Sequence, residues 1–427
     1  MSKRSRKPSL REVSSAAQQV AVTVGEVMVD VGAEFRELLV RGGVAIAAAL
    51  FRDETDALCG ARYARGEGLA SRWGTAPGEA VLGGRRVTLR RPRVRDTEGE
   101  VELESYRQLQ REDPLTSRAV EQMLIGVSTR KYARSLEAVP VIAGVEEFGT
   151  SKSAVSRRFV ARTQAQLSDA LSRPLGGKGW AALLIDGIAF HDHVVVIVLG
   201  IEESGMKSVL GFREGTTENA TLCRELLSDI VARGVPADRS IVVGIDGGKG
   251  LRKAVSEVFG RFAVVQRCQV HKKRNVLDQL PDTMRAQVSA AMSQAYAAAT
   301  VDTALSQLKN LERNLAKTQP SAASSLREGL EETLTVKSLG ITGRLAKTLE
   351  TTNPIENLNG GVRRVGGRVK RCPTGAMALR WVATAALDCE KTFRRVRGHK
   401  DMPKLVAALR ARDGDGDVKR DNVRAAC

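Results

Sequence analysis

The sequence predicts an α/β fold, and three observations carry that reading. Short runs rich in Val, Ile and Leu (ALLIDGIA, VVVIVLGI, KSVLGF, SIVVGI and FAVVQ) fall between residues 182 and 266 and read as strands. From about Glu218 onward, segments with helically spaced apolar residues alternate with them. The stretch from about Asp282 to Gly340 is rich in Ala, Gln and Leu, carries no strand signal and reads as helical. The chain has 427 residues, 42% of them hydrophobic and only 4% aromatic, so its cores must be built from Val, Leu, Ile and Ala. That length allows about two or three domains at roughly 100–200 residues each.

Taken in order, the chain opens with a basic tail, MSKRSRKPSLREV, followed by a helix, VGEVMVDVGAEFRELLVRG, expected to end at Gly42 and Gly43. Between Leu82 and about Leu103, VTLRRPRVR has β-type alternation and carries Arg85, Arg86, Arg90, Arg91, Arg93 and Arg95. A solvated edge strand and a strip that tracks phosphates would both look like this. Between Ser117 and Ser172 the pattern turns helical. RAVEQMLIGVSTRKYARSLEAV breaks at Gly126 and offers Ser128 as an N-cap, and GTSKSAVSRRFVARTQAQL opens a further helix capped by Thr150 or Ser151. Two helices, the second polar and basic at its start, give the region helix-turn-helix character, with Ser151, Lys152, Ser153, Ser156, Arg157 and Arg158 as its exposed face. A capped surface helix in any basic protein shares that pattern. LSRPLGGKGW reads as a linker.

The next three strand runs lie close enough for an antiparallel meander. A helix from about Glu218 to Ala232, closed by Gly234 and Pro236, leads to SIVVGI, then helix KGLRKAVSEVF, strand FAVVQ and a basic helical stretch from about Val270. Three strands, helix, strand, helix, strand is the order of an RNase H-like core. The expected organisation is therefore a basic N-terminal region contacting DNA or a second copy (1–115), a mainly helical DNA-binding region (116–174), the first part of the core (175–281), an all-helical insertion (282–343), the last part of the core (344–400) and a basic C-terminal tail (401–427).

The formal net charge is +18, from 67 Lys and Arg against 49 Asp and Glu. A pI near 10.0 points to a polyanionic partner, nucleic acid first, although a merely soluble basic protein would share it. Six scattered cysteines (Cys59, Cys223, Cys268, Cys372, Cys389 and Cys427) form no CxxC pair and fit reduced thiols. The N-terminus lacks a clean signal-peptide core, and the apolar run from Gly42 to Phe51 is about half a bilayer span. A soluble, cytoplasmic and nucleoid-associated protein with no membrane partner is the expectation.

Three acids stand out: Asp186 and Asp246 at the ends of apolar runs, and Glu356 in the opening turn of a helix in TTNPIENLNGGVRR. Carboxylates so placed can converge to hold Mg²⁺, which takes oxygen ligands and keeps several waters. Two such ions can activate an attacking oxygen and neutralise a leaving one. Each acid has a plainer explanation. Asp192 is an alternative to Asp186, and Asp246 can cap the helix after it. Asn353-Pro354-Ile355-Glu356 reads as a capping box with Asn353 at the N-cap, in which case Glu350 or Glu390 would supply the third acid. Cys268 and His271 form a CxxH spacing followed by Lys272, Lys273, Arg274 and Asn275; with no second pair it is an incomplete zinc site. GIDGGKG is not a Walker loop, since no Ser or Thr follows its GK.

These segments together resemble the mutator-type transposases of bacterial insertion sequences, collinearly over most of the chain. IDGIAFHDHVVVIVLGIEESGMKSVLGF looks like the family's first-Asp block. VVGIDGGKGLRKAVSEVFGRFAVVQRCQVHKKRNV looks like the second, including its QRC-x-x-H-x-x-RN signature, and TTNPIENLNGGVRRV like the third. The resemblance implies an RNase H-like DDE core interrupted by a helical insertion. It makes Asp186, Asp246 and Glu356 the catalytic ligands of Mg²⁺ or Mn²⁺, and Cys268, His271 and Asn275 a signature near the site. It implies double-stranded DNA as partner, both terminal inverted repeats and target, with the chain acting as a homo-oligomer, a dimer on DNA. Basic residues would hold the backbone, among them Arg91, Arg93, Lys272, Arg274, Arg363 and Arg364. Two departures stand out: Cys223 where relatives often carry Trp, and the GTTEN lead-in to its helix. A structure-selective nuclease or resolvase, and a non-catalytic DNA-binding regulator descended from a transposase, are the competing readings.

Overall fold

The computed structural model describes residues 24–63, 70–82, 85–111, 114–136, 147–148, 150–215 and 219–424. The basic N-terminal tail and most of the GTTEN lead-in lie outside the described residues. The architecture is mixed α/β, in two compact units covering residues 1–162 and 163–427.

In the first unit, α1 (Val24–Cys59) runs straight through Gly42 and Gly43, where the sequence predicts an end. A helical Gly costs only about 1 kcal/mol relative to Ala, and the segment beyond it buries Ala47 and Phe51. That burial outweighs the glycines. An antiparallel hairpin follows, β1 (Ser71–Leu82) with β2 (Arg85–Arg95). Strand β1 escapes sequence reading because Gly74, Pro77 and Gly78 interrupt its alternation. Strand β2 is not an edge: β1 lies on one side, and short strands β3 (Glu100–Val101) and β4 (Glu147–Phe148) pair with it on the other. Its Val87, Leu89 and Val94 are buried. Arg91 and Arg93 are not bare cations, since both pair with Glu100.

Helices α2 (Glu104–Arg111) and α3 (Pro114–Leu124) come next. After Gly126, at φ 103°, the Ser128-capped helix does not form. Ser128 instead accepts from the Lys131 N–H in a turn, leading to one 3-10 turn at Ala133–Ser135. Tyr132 and Leu136 are drawn into a small core with Ala119 and Val155, which favours the turn over a regular helix. Helix α4 (Lys152–Ser172) begins as expected, with the Ala154 N–H donating to Ser151 Oγ at 3.3 Å.

The second unit is organised by five strands: β5 (Trp180–Phe190), β6 (His193–Glu202), β7 (Lys207–Gly215), β8 (Ile241–Ile245) and β9 (Ala263–Arg267), in the order β7-β6-β5-β8-β9. The meander β5-β6-β7 is antiparallel, while β8 joins β5 and β9 joins β8 in parallel. The segment read as a linker is tied down, with Leu175 N–H donating to Arg233 and Trp180 Nε1 to the Leu175 carbonyl. Helix α5 (Ala220–Ala232), capped by Asn219, and α6 (Lys249–Phe259) cover one sheet face. There Leu183, Ile185, Val243 and Ile245 meet Leu226, Ile230, Leu251 and Val255. Cys223 sits fully buried in this core as a small apolar residue.

Helix α7 (Gln269–Leu277) leads into α8 (Asp282–Ala297), α9 (Val301–Thr318), α10 (Pro320–Arg327) and the single turn α11 (Thr335–Ser338), which have a core of their own around Met292, Leu308 and Leu326. Gln266 fastens this helical body to the sheet: its Nε2 donates to the Thr333 carbonyl, and its Oε1 accepts from the Val336 N–H, both at 2.8 Å. The chain returns through α12 (Gly343–Leu349) to α13 (Asn353–Gly366) and α14 (Gly375–Glu390), which pack on β5 and on β6–β7. The last helix, α15 (Met402–Arg424), buries Met402, Leu405 and Leu409 rather than forming a free tail.

Candidate catalytic site on the parallel strand pair

Strand parity decides where the two aspartates point. Side chains alternate between sheet faces, and Leu183 and Ile185 face α5 and α6, so Asp186 takes the opposite face, toward α13. The β5–β8 register pairs Ala182 with Val242, Leu183 with Val243 and Leu184 with Gly244. Continued by two residues, it sets Asp246 beside Asp186 on that same face. Asp246 does follow the last residue of its strand. Asp186 does not end one: β5 continues four residues to Phe190, because the meander with β6 extends past the end of β8.

Helix α13 brings the third acid. Its N-cap is Thr352, not Asn353, which puts Glu356 one position deeper than a capping box requires. Thr352 Oγ1 donates to Glu356 Oε1 at 2.6 Å, and no backbone N–H of the first turn is capped by the glutamate. One turn on, Asn359 is fully buried and its Nδ2 donates to Asp186 Oδ2 at 2.8 Å. Asn359 went unnoticed in the sequence, although its place three residues after Glu356 puts both on neighbouring positions of one helix face. Its Oδ1 has no hydrogen-bond partner among the described residues.

The carboxyl of Asp186 is pushed up to about 6, first by burial and then by the negative charges of Asp246 and Glu356, with His271 and the Asn359 hydrogen bond opposing. The other acids are elsewhere. Asp192 is exposed in the β5–β6 turn. Glu390 pairs with Arg173 and accepts from the Val209 N–H. Glu350, at the end of α12, is buried near Lys337 and Lys347, and burial raises its carboxyl.

Each of the three converging carboxylates has one oxygen held by the protein: Asp186 by Asn359, Asp246 by the Gly248 N–H at 2.9 Å and Glu356 by Thr352. The other oxygen of each has no hydrogen-bond partner among the described residues. Three hard oxygen donors, one of them on a carboxyl that burial and two acidic neighbours make reluctant to ionise, fit a divalent ion such as Mg²⁺.

The QRC…H…RN signature divides between two tasks. Gln266 and Arg267 face the helical insertion, Arg267 donating to Glu332 at 2.8 Å. Cys268 and His271 face the acids. His271 Nδ1 lies 3.3 Å from Thr352 Oγ1 and 3.7 Å from Glu356 Oε1. Hydrogen bonding to the Cys268 sulfur raises the imidazole above its usual value against burial. Burial works to raise the Cys268 thiol, but hydrogen bonds from His271 and Thr352 outweigh it and hold the thiol low. Ligand atoms of Cys268, His271 and Glu356 lie within 4.8 Å of one another, so the CxxH pair has a third donor that its spacing alone could not reveal. Asn275 and Arg274 are exposed on α7.

Lys272 corrects the sequence reading. Although it stands in a basic run, it is buried, and its Nζ donates to the carbonyls of Ser325 and Glu328 at 2.7 and 2.6 Å. It anchors the insertion and cannot reach a phosphate. Arg363 and Arg364 are exposed in the last turn of α13. Ser151, Lys152, Ser153 and Arg157 are exposed on α4, while Ser156 and Arg158 are half-buried. No described helix is long and apolar enough to cross a membrane.

Comparison with known proteins bears on this site. Residues 19–396 match the family described as Transposase, Mutator family. Over 294 residues the chain is 29% identical to the transposase for insertion sequence element IS6120 of Mycolicibacterium smegmatis, covering 66% of this chain and 87% of that one. It is 27% identical over 330 residues to the transposase for ISRM5 of Rhizobium meliloti, covering 75% and 79%. It is 26% identical over 318 residues to the transposase for IS256 in transposon Tn4001 of Staphylococcus aureus, covering 71% and 76%.

Proposed function

Since this chain belongs to the Mutator family of transposases, we propose that it binds the ends of its own mobile element and cuts and joins DNA by a DDE mechanism on an RNase H-like core. Asp186 lies within electrostatic reach of both Asp246 and Glu356, with one oxygen of each acid held by the protein, and this carries the reading. The mixed sheet order β7-β6-β5-β8-β9 supports the RNase H-like assignment.

In this reading the three carboxylates hold Mg²⁺ or Mn²⁺, which when bound activates the attacking oxygen and neutralises charge on the leaving one. The chain's own contribution is orientation. Asn359 fixes Asp186, the Gly248 N–H fixes Asp246, and the Thr352 hydroxyl fixes Glu356, so each carboxylate is restrained before substrate arrives. His271, next to Thr352 and Glu356, places beside the site an imidazole whose proton affinity the Cys268 sulfur raises. Water is the nucleophile for strand cleavage, and the freed 3′-OH is the nucleophile for joining. The exposed start of α4, with Ser151, Lys152, Ser153 and Arg157, is the proposed element-end reader, of helix-turn-helix type. Arg274, Arg363 and Arg364 supply backbone contacts, and one copy of the chain per element end makes the active form a dimer.

The test uses the full-length protein, Mg²⁺ and a duplex carrying the inverted repeat that flanks the gene. Metal-dependent nicking at the repeat boundary followed by joining to a second duplex is expected. Cutting without joining would favour a nuclease or resolvase. Binding without either would mean a regulator.

A further inference from the structure

A second feature of the same unit is not used by the three acids. A cleft of about 1030 Å³ lies between the start of β7, helix α12, the first turns of α13 and the loop after α14, and six cations line it: Lys207, Arg344, Lys347, Arg394, Arg395 and Arg397. No acidic side chain of a described residue lines it. None of the six forms an ion pair with a described residue, whereas Arg213, Arg224, Arg233, Arg252 and Arg267 in the same unit are all paired with carboxylates. Glu350 lies near Lys347 without lining the cleft, and the cations gathered around this one concavity repel each other in the free protein. Such an arrangement is stabilised when a polyanion enters.

The cleft is also built with defined walls. Thr348 Oγ1 donates to the Arg397 carbonyl at 3.0 Å, and the Val396 N–H donates to the Gly205 carbonyl at 2.9 Å. Gly398, at φ 80°, lets that loop lie directly against the Leu345 backbone, where any Cβ would collide. The loop bearing Arg394, Arg395 and Arg397 is therefore clamped to both α12 and the β6–β7 turn.

Its position relative to the acids follows from the helix it shares with them. Asn353 and Asn357 of α13 line the cleft. At 100° per residue, Glu356 falls between those two and Asn359, which touches Asp186. Glu356 thus stands on the border between cleft and acid cluster.

We propose that this cleft seats the phosphate backbone of duplex DNA immediately beside the bond to be cut, with Arg394, Arg395 and Arg397 as principal phosphate contacts. The inference rests on the catalytic reading above and names where the core holds its substrate.

The experiment measures affinity of the full-length protein for a labelled random-sequence duplex as potassium chloride is raised. Each phosphate contact adds about 0.9 to the slope of log affinity against log salt. The triple variant Arg394→Gln, Arg395→Gln, Arg397→Gln should lower that slope by about 2–3. The corresponding triple Arg→Lys variant, which keeps the charges, should restore most of it. Lys309→Gln, Arg313→Gln, Lys317→Gln on the insertion removes the same net charge and should leave the slope nearly unchanged. Melting temperatures confirm that the variants fold. An unchanged slope in the cleft triple, or an equal fall in the insertion triple, would overturn the cleft assignment while leaving metal-dependent cleavage by the wild type intact. Loss of the catalytic reading has a different signature: wild-type protein that binds DNA through these arginines but never cuts it.

Discussion

Replacing Asp186 with Asn should abolish cleavage and yet make the metal-free protein more stable at neutral pH. The Asp186 carboxyl titrates at about 6 in the folded chain against 3.8 as a free group. Its folded value is raised, so the folded state holds the extra proton through the window between these values. Stability contributed by the protonated form is fully present below about pH 4 and is lost as pH rises through about 6. At about 1.4 kcal/mol per tenfold change in proton affinity, the loss amounts to about 3 kcal/mol, an upper value because the carboxyl keeps some solvent. An Asn cannot ionise, and its carbonyl can still accept from Asn359. Urea unfolding in the presence of a chelator, followed by tryptophan fluorescence, measures the difference. Trp180 and Trp381 are buried in the second unit, whereas Trp73 is exposed, so the signal change reports mainly on the sheet that carries Asp186. The variant should exceed wild type by up to about 3 kcal/mol at pH 7 and match it near pH 4. Added Mg²⁺ should raise the wild-type midpoint and leave the variant's nearly unmoved. A difference that does not vary with pH, or a variant weaker than wild type at pH 7, would refute the reasoning.

Glu356→Gln should remove strand cleavage with a melting temperature within a few degrees of wild type; near-normal strand transfer would hand the third role to another acid. Asn359→Ala should slow single-turnover cleavage about tenfold to a hundredfold, the equivalent of losing a hydrogen bond of roughly 1.5–3 kcal/mol to a charged group, and an undiminished rate would remove Asn359 from the site. Lys272→Met should lower thermal stability, since it leaves the Ser325 and Glu328 carbonyls unpaired, yet keep the salt dependence of DNA binding; a smaller salt slope would return Lys272 to the DNA interface. Elemental analysis of purified protein should find far less than one zinc per chain, because Cys268, His271 and Glu356 have no fourth protein donor among the described residues and Thr352 already occupies Glu356 Oε1. Stoichiometric zinc, lost together with folding in His271→Ala, would reverse that assignment.

The sheet of the second unit was legible because its strands are nearly continuous apolar runs, and the aspartates were legible because they interrupt those runs. What the sequence hid depends on partners far along the chain. Strand β5 continues past Asp186 only because β6 pairs with its outer half. Asn359 looks like any polar helix residue until α13 is laid against β5. Lys272 and Arg274 are neighbours in one basic run, but α10 covers the first and leaves the second in solvent. In the first unit, local signals were overridden by burial: two glycines failed to end α1, and Tyr132 held the segment after Gly126 in turns. Strand β1, with its glycines and proline, is specified by its partner β2 more than by its own residues.

The helical body inserted between β9 and α13 also imposes a schedule on the acids. Asp246 and Glu356 are separated by 110 residues of chain. At roughly 5–20 residues per second, a ribosome takes about 5–20 s to add that length. During that interval β5 and β8 can already hold Asp186 and Asp246 side by side, but Asn359, Thr352 and Glu356 have yet to be made. A growing chain can thus present these two strands while lacking the third carboxylate. In the proposed mechanism the acid set is complete only once the insertion has been synthesised and α13 has docked, so a polypeptide truncated anywhere in those 110 residues lacks Glu356 and the loop bearing Arg394, Arg395 and Arg397.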